Sequence, residues 1–183
     1  RKGGRLVVAA KGSPERILTL CSLTDKARCA AEEQIQALSS QGLRVIAIAA
    51  AHPENEAAIP AAITDCRLTL LGLVGLADPP RASVKADIAV CSRAGIRVVM
   101  ITGDNGMTAS AIAKKIGIPG SENIITGEAL ERMSDAELRE AVKTVSIFSR
   151  VIPEHKMRIV KAFQENGAIV AMTGDGVNDA PAL

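Results

Sequence analysis

Aromatic residues are nearly missing from this sequence of 183 residues, which contains two phenylalanines and neither tyrosine nor tryptophan. Proteins that bind single-stranded nucleic acid stack the bases on aromatic side chains. Phe148 and Phe163 are too few for such a surface, and a net charge of +2 exerts little attraction on a polyanion. The sequence therefore predicts that nucleic acid is not a partner.

Long apolar runs and closely spaced cysteines are also absent. The longest apolar run, from Leu68 to Ala77, has about half the length needed to cross a bilayer. We therefore expect neither a transmembrane segment nor a signal peptide, and we expect a soluble chain that does not insert into a membrane. The wide spacing of the cysteines favours reduced thiols of a cytosolic protein over a disulfide framework or a zinc site. They are Cys21, Cys29, Cys66 and Cys91.

The composition is globular, with 48% hydrophobic and 23% charged residues. The length suits one domain, or one domain with part of another. The chain starts just before a predicted strand and stops where a helix is expected to begin. We therefore expect it to be a fragment of a longer protein.

The first third of the chain predicts two strands and two helices. The strands are expected from Leu6 to Ala10 and from Leu43 to Ala51. Ser13 and Pro14 are typical of the start of one helix, and Thr24 or Asp25 starts the next. The stretch from His52 to Asp65 has no clear period and is expected to be a loop.

From Leu68 onward, strands alternate with helices, which predicts a parallel sheet with helices on both faces. The predicted strands are Leu70 to Ala77, Ile96 to Ile101, Ile124 to Ile125, Val145 to Phe148, and Ile169 to Met172. Four helices are predicted between and after these strands. The first has Val84, Ile88 and Cys91 on its buried face, and the second runs from Met107 to Ile116. The third begins at the capping box of Ser134, and the fourth begins at Pro153, with Val160 and Phe163 facing inward.

Four of these predicted strands end in polar loops, at Asp78, Thr102, Arg150 and Thr173. The carboxyl ends of parallel strands lie along one edge of a sheet, so we expect the loops to converge on one crevice.

The last loop is the densest in polar groups, running Thr173-Gly174-Asp175-Gly176-Val177-Asn178-Asp179. Its glycines permit a tight turn and close approach of a ligand. A carboxylate placed like Asp175 suits Mg²⁺, which prefers oxygen ligands and often shares them with phosphate. The alternative is a surface turn in which Asn and Asp bond their own backbone.

Together, the polar groups of these loops predict phosphoryl transfer, in which catalysis consists mostly of positioning and charge neutralisation. The set comprises Thr102, Asp104, Arg150, Lys156, Asp175, Asn178 and Asp179, and it contains no evident nucleophile. Each member also has a simpler explanation. The alternatives are that Asp104 caps a helix, that Lys156 is a solvated lysine, and that Asp78-Pro79-Pro80-Arg81 is a rigid exit from a strand.

Four motifs resemble those of the P-type cation-transporting ATPases, in the same order along nearly the whole chain. Thr173 to Leu183 is similar to the hinge signature of that family, and Ile101-Thr102-Gly103-Asp104 contains its T-G-D motif. Asp78-Pro79-Pro80-Arg81 matches its D-P-P-R motif. Lys11-Gly12-Ser13-Pro14-Glu15 matches K-G-A-P-E, with Ser in place of Ala. The segment from Ser149 to Lys156 is most similar to Ca²⁺ pumps.

The resemblance implies an α/β fold with a haloacid-dehalogenase-like, Rossmann-type parallel sheet, preceded by a partial α+β nucleotide-binding domain. Residues 1–73 would form the C-terminal part of the nucleotide-binding domain. Residues 74–183 would form the phosphorylation domain without its first strand and its C-terminal end.

The resemblance also implies a role for each matching residue. Asp175 corresponds to the Mg²⁺ ligand, supported by Asp179, and Lys156 to the lysine that contacts phosphate. Thr102 and Asn178 correspond to contacts of the phosphoryl group. The residues implied to contact ATP are Lys11 in the adenosine pocket, together with Arg44, Asp78, Gly103, Asp104 and Arg150.

Several parts of the family pattern are expected upstream of Arg1 or elsewhere in a parent chain. They are the D-K-T-G-T segment with the phosphorylated aspartate, the aromatic that stacks on adenine, the actuator domain and the transmembrane helices. We therefore expect a cytoplasmic segment of a multi-pass membrane protein, which by itself neither phosphorylates itself nor transports. The alternatives are a soluble phosphatase of the same fold and a nucleotide-binding module without catalysis.

Overall fold

The computed structural model describes residues 6–174, so the predicted site residues Asp175, Asn178 and Asp179 lie outside the described part. The chain divides into two compact units, the first ending at Asp78 and the second beginning at Pro79. The sequence places this boundary after Leu73, before the end of a strand that belongs to the first unit. The assignment of the two units as nucleotide-binding and phosphorylation domains stays a prediction.

The first unit contains an antiparallel sheet of three strands in the order β1-β2-β3. The strands are β1 (Val8–Gly12), β2 (Arg44–Ala51) and β3 (Thr69–Leu76). Two helices pack against the sheet, α1 (Pro14–Leu20) and α2 (Asp25–Ser39). Thr24 caps α2 as predicted, because its side chain accepts a hydrogen bond from the Ala27 amide.

The prediction that β3 opens the parallel sheet is wrong. β3 pairs antiparallel with β2, and the register shifts between Ile48 and Ala49. A short apolar run fits either kind of sheet, because the choice of partner strand depends on distant residues. Asp78 therefore follows a strand of the antiparallel sheet, and the argument from parallel strand ends does not apply to it.

The second unit contains the predicted parallel sheet, with three strands in the order β4-β6-β5. The strands are β4 (Met100–Ile101), β5 (Ile124–Thr126) and β6 (Ile147–Ser149). The helices are α3 (Val84–Arg93), α4 (Gly106–Ile116), α5 (Gly127–Arg132), α6 (Asp135–Ala141) and α7 (Pro153–Glu165). The described chain contains no helix that is both long and apolar enough to cross a membrane.

The central strand β6 carries one core on each face of this sheet. Ile147 packs with Ile88, Ala109 and Ala113 on one side. Phe148, next to it in the strand, packs with residues of α5, α6 and α7 on the other side. Successive side chains of a strand point to opposite faces, so helices cover both faces, and the predicted α/β class is confirmed.

Several local predictions for the second unit are confirmed. Ser134 and Glu137 form the predicted capping box at the start of α6. Gly117 ends α4 in the left-handed region, with φ of 85°. The short helix α5 was not predicted, because six residues are too few to show a helical period.

Two predicted strands differ from the structure. Residues 96–99 precede β4 and are not in a strand, and Ile96 is 58% exposed. Ile169 to Met172 form no strand, and Ile169 is fully exposed. Strand backbone needs a neighbour for its hydrogen bonds, and no strand among residues 6–174 pairs with this segment.

The inward face of α7 is also shifted from the prediction. The buried apolar residues are Ile159 and Ala162, whereas Val160 is only half-buried. Phe163 packs against the core while remaining partly accessible. The first turn buries His155 and Lys156 on the same face, and apolar spacing cannot reveal buried polar residues.

Candidate functional site

The loops that follow β4 and β6 are joined by backbone hydrogen bonds that continue beyond the sheet. The Thr102 amide donates to the Phe148 carbonyl at 2.9 Å, and the Val151 amide donates to the Thr102 carbonyl at 3.2 Å. The Arg150 amide donates to the Asp104 carbonyl at 3.1 Å. We call residues 102–104 and 150–156 the rim. The structure thus brings together the predicted residues Thr102, Asp104 and Arg150 at one edge of the parallel sheet. Gly103 lies between the first two, and Lys156 lies in the first turn of the helix that follows Arg150.

Within the first rim loop, Thr102 folds its side chain back over the turn. Its Oγ1 accepts a hydrogen bond from the Asp104 amide at 3.0 Å. The hydroxyl proton of Thr102 is therefore not used in this bond and can be donated elsewhere.

Asp104 does not cap the following helix, so that alternative is wrong. The cap of α4 is Asn105, whose side chain accepts from the Met107 amide at 2.8 Å. Gly103 is exposed, and a Cβ added to it would meet nothing within 4 Å. The turn thus leaves open space beside Gly103.

Lys156 lies in the first turn of α7 and is only 9% exposed, so the alternative of a solvated lysine is wrong. A lysine is rarely buried unless its charge is compensated. The first turn of a helix also carries a partial positive charge, which favours an anion over a second cation. Lys156 therefore places a positive charge in a buried position at the start of α7.

The second rim loop contains an unusual backbone conformation at Arg150. Its φ is 53°, in the left-handed region, and it is the only residue other than glycine with positive φ among residues 6–174. The Arg150 carbonyl points at Gly127, the first residue of α5, where an added Cβ would overlap it.

His155 is buried beside these residues. Its Nδ1 accepts a hydrogen bond from the Ile152 amide at 3.4 Å, and its Nε2 lies 3.6 Å from Oε1 of Glu131. Sequence reasoning did not identify either Gly127 or His155. A glycine directly after a short strand is a signal for close backbone approach, and His155 is part of the matched segment around Lys156.

In the first unit, Lys11 lines a cleft of about 470 Å³. Among the residues that line it, Lys11 and Arg16 carry positive charge, Ser13 and Thr64 carry hydroxyls, and none is acidic. Arg44 is exposed at the start of β2, and Asp78 is the exposed last residue of the unit.

Residues 23–183 match the family described as haloacid dehalogenase-like hydrolase. The chain belongs to this family.

Curated relatives of this haloacid dehalogenase-like hydrolase are named as cation-transporting ATPases. The "Calcium-transporting ATPase" of Bacillus subtilis is 44% identical over 96% of the chain and 21% of its own length. The "Probable cation-transporting ATPase F" of Mycobacterium tuberculosis is 43% identical over 100% of the chain and 22% of its own length. The human "Calcium-transporting ATPase type 2C member 2" is 43% identical over 94% and 18%. The resemblance to cation-transporting ATPases is thereby confirmed, and the chain spans about a fifth of these relatives.

The described residues contain no group of three or more His, Cys, Asp or Glu that could hold a metal. The predicted Mg²⁺ ligand Asp175 and its neighbours Asn178 and Asp179 lie outside residues 6–174. Their roles therefore stay predictions.

Proposed function

We propose that this chain is part of the catalytic cytoplasmic region of a P-type pump that hydrolyses ATP through an aspartyl-phosphate and transports a cation, Ca²⁺. The family match supports the fold and the hydrolase chemistry. Relatives named calcium-transporting ATPases support the class of parent protein and the ion.

One observation carries the proposal: the loops after β4 and β6 are hydrogen-bonded to each other, and the second loop leads into the first turn of α7, where Lys156 is buried. Phosphoryl transfer depends on fixed groups that neutralise charge on the phosphoryl oxygens. Lys156 supplies a fixed positive charge from the first turn of α7. Thr102, whose Oγ1 already accepts a bond from Asp104, donates its hydroxyl proton to a phosphoryl oxygen.

The remaining rim residues hold the nucleotide. Arg150 contributes an exposed guanidinium that attracts phosphate, and Asp104 contributes a carboxylate that can accept bonds from ribose hydroxyls. Gly103 keeps the first rim loop open to the ligand, because nothing lies within 4 Å of where a side chain would start.

Mg²⁺ is the metal cofactor in this proposal, and Asp175 would hold it, with Asp179 in support and Asn178 on the phosphoryl group. When bound, the ion would neutralise negative charge on the phosphoryl oxygens. Carboxylate oxygens are the ligands that Mg²⁺ prefers, so these residue types fit the ion.

The two compact units take different roles. The first is the C-terminal part of the nucleotide-binding domain, in which the Lys11 cleft receives adenosine while Arg44 and Asp78 contact the nucleotide. The second is the phosphorylation domain. ATP is the ligand, and the actuator and transmembrane domains of a multi-pass parent are the partners. We expect the 183-residue chain alone to form no aspartyl-phosphate, because its sequence contains no D-K-T-G-T segment.

The proposal is tested by supplying radiolabelled ATP to the longer protein that contains this chain, in the presence of Mg²⁺ and Ca²⁺. We expect a phosphoprotein that is stable in acid and cleaved by hydroxylamine, as acyl phosphates are. The isolated 183-residue chain serves as the control and should incorporate no label. A longer protein that hydrolyses small phosphate esters but is not labelled by ATP would instead support a soluble phosphatase.

A further inference from the structure

Gly127 lies closer to a neighbouring backbone than any residue with a side chain could. A Cβ at this position would overlap the carbonyl oxygen of Arg150 and lie 3.0 Å from its carbonyl carbon. It would also lie 3.1 Å from Nδ1 of His155. A backbone carbonyl cannot swing aside as the end of a flexible side chain can, so the contact requires glycine.

The contact falls at the one non-glycine residue with positive φ among residues 6–174. Arg150 has φ of 53°, a region that disfavours residues with a Cβ. Such a conformation persists only where the surroundings fix it. On one side, the amides of Arg150 and Val151 are bonded to Asp104 and Thr102. On the other side, the Arg150 carbonyl oxygen packs against Gly127, in the space that a Cβ would occupy.

His155 extends this contact toward Lys156. Nδ1 of its buried ring lies 3.1 Å from where a Cβ of residue 127 would be, and the same atom accepts a hydrogen bond from the Ile152 amide. The segment from Arg150 to Lys156 is therefore held at two points, one at its start by the Gly127 contact and one just before Lys156 by the His155 ring.

We propose that Gly127 is a positioning residue for this site: its bare Cα lets α5 pack against Arg150 and His155 and so fixes how Arg150 and Lys156 face the ligand. The inference rests on the proposed function, which supplies that ligand as ATP. Nothing in the motifs matched by sequence assigns a role to Gly127.

The test compares Gly127→Ala with Glu128→Ala in the 183-residue chain. Glu128 is the next residue of α5, and its carboxylate pairs only with the exposed side chain of Arg132 among the described ion pairs. Amide hydrogen exchange is measured at Arg150 and Val151, relative to the Thr102 amide, which donates to the Phe148 carbonyl of β6. We expect Gly127→Ala to accelerate exchange at Arg150 and Val151 by about tenfold more than at Thr102, and Glu128→Ala to leave the ratio unchanged.

Equal acceleration at all three amides would overturn the inference, because it would show that Gly127 affects only general stability. If Gly127→Ala does not fold, Arg150→Gly is added to it. Glycine can adopt other backbone conformations and redirect its carbonyl, so the double variant should regain the folded state. A double variant that stays unfolded would likewise overturn the inference.

A second readout separates this inference from the proposed function. ATP affinity is measured by titration in the longer protein that contains this chain, for Gly127→Ala, Arg150→Ala and the double variant. We expect each single change to weaken binding and the Gly127→Ala effect to be smaller in the Arg150→Ala background, because only its influence on Lys156 then remains. If exchange at Arg150 changes while Arg150→Ala leaves ATP affinity intact, Gly127 positions Arg150 as inferred, but the proposed nucleotide contact of Arg150 is wrong.

Discussion

The backbone amide of Arg150 donates a hydrogen bond to the carbonyl oxygen of Asp104 at 3.1 Å. The two residues are 46 positions apart in sequence and follow neighbouring strands of a parallel sheet. This bond fixes one rim loop to the other independently of any ligand. A site that is assembled before its ligand binds loses less conformational freedom on binding.

The first prediction concerns Arg97, which lies just before β4 and donates hydrogen bonds to several carbonyl groups of the segment between α6 and β6. Its guanidinium donates to the carbonyl oxygens of Val142, Lys143 and Val145 and to Oγ of Ser146. It also lies 5.6 Å from the ring centroid of Phe163. We expect Arg97→Ala to lower the free energy of unfolding by about 1–3 kcal/mol, measured by urea unfolding.

The control for Arg97 is Arg132→Ala. Arg132 pairs with Glu128, and both side chains are about three-quarters exposed, at 74% and 75%. Such a pair contributes less than about 1 kcal/mol. Equal losses in the two variants would show that the Arg97 network does not stabilise the second unit.

The second prediction concerns two buried serines near β6. Ser149 is fully buried, and its Oγ has no hydrogen-bond partner within the described part of the chain. Ser146 is also buried, but its Oγ accepts from Arg97. We expect Ser149→Ala to raise the free energy of unfolding by up to about 1 kcal/mol, because the variant no longer buries an unpaired hydroxyl.

Ser146→Ala should have the opposite effect and lower the free energy of unfolding by about 1 kcal/mol. Each variant loses only a hydroxyl oxygen, so a difference in the sign of the change in the free energy of unfolding is due to the hydrogen bond of Ser146. Destabilisation of similar size in both variants would refute the account of Ser149.

The third prediction concerns two carboxylates at the start of α6. A hydrogen bond from the Arg158 guanidinium, at 2.8 Å, lowers the pKa of Asp135. A hydrogen bond from the Ser134 backbone amide, also at 2.8 Å, lowers the pKa of Glu137. Because both folded-state pKa values lie below the unfolded ones, the stability they contribute is present above the unfolded pKa. It is lost as the pH falls through the folded-state pKa.

We therefore expect the free energy of unfolding to fall in acid less steeply in Asp135→Asn combined with Glu137→Gln than in the natural sequence. Glutamine can keep the capping box, so Glu137→Gln mainly removes the titrating charge. Urea unfolding between neutral pH and about pH 3 would show the difference. An identical pH dependence would mean that other groups control acid unfolding.

The sequence predicts the elements that carry local signals and misses those that depend on distant partners. Ser134, Thr24 and Gly117 mark helix ends through bonds and conformations that involve only nearby residues. The partner of β3 and the length of β4 depend on which strand lies alongside, and their residues do not encode that locally.

The same division holds for the candidate site. Thr102, Arg150 and Lys156 follow or flank strand ends, so sequence reasoning could group them at one edge. The close contact between Gly127 and Arg150 could not be predicted, because it depends on the path of two loops that are 23 residues apart. Burial of Lys156 was also missed, since a lysine in a first helical turn is usually solvated.

The most direct test of the proposed function is phosphoenzyme formation from ATP by the longer protein with a single lysine of α7 replaced. Lys156 is buried at the rim, whereas Lys161 on the same helix is 70% exposed and lies near Glu165. We predict that Lys156→Ala lowers the rate of phosphoenzyme formation by about a hundredfold. Lys161→Ala should leave the rate within about twofold, as expected for an exposed ion pair. Equal rates in the two variants would contradict the assignment of this rim as the phosphoryl-binding site.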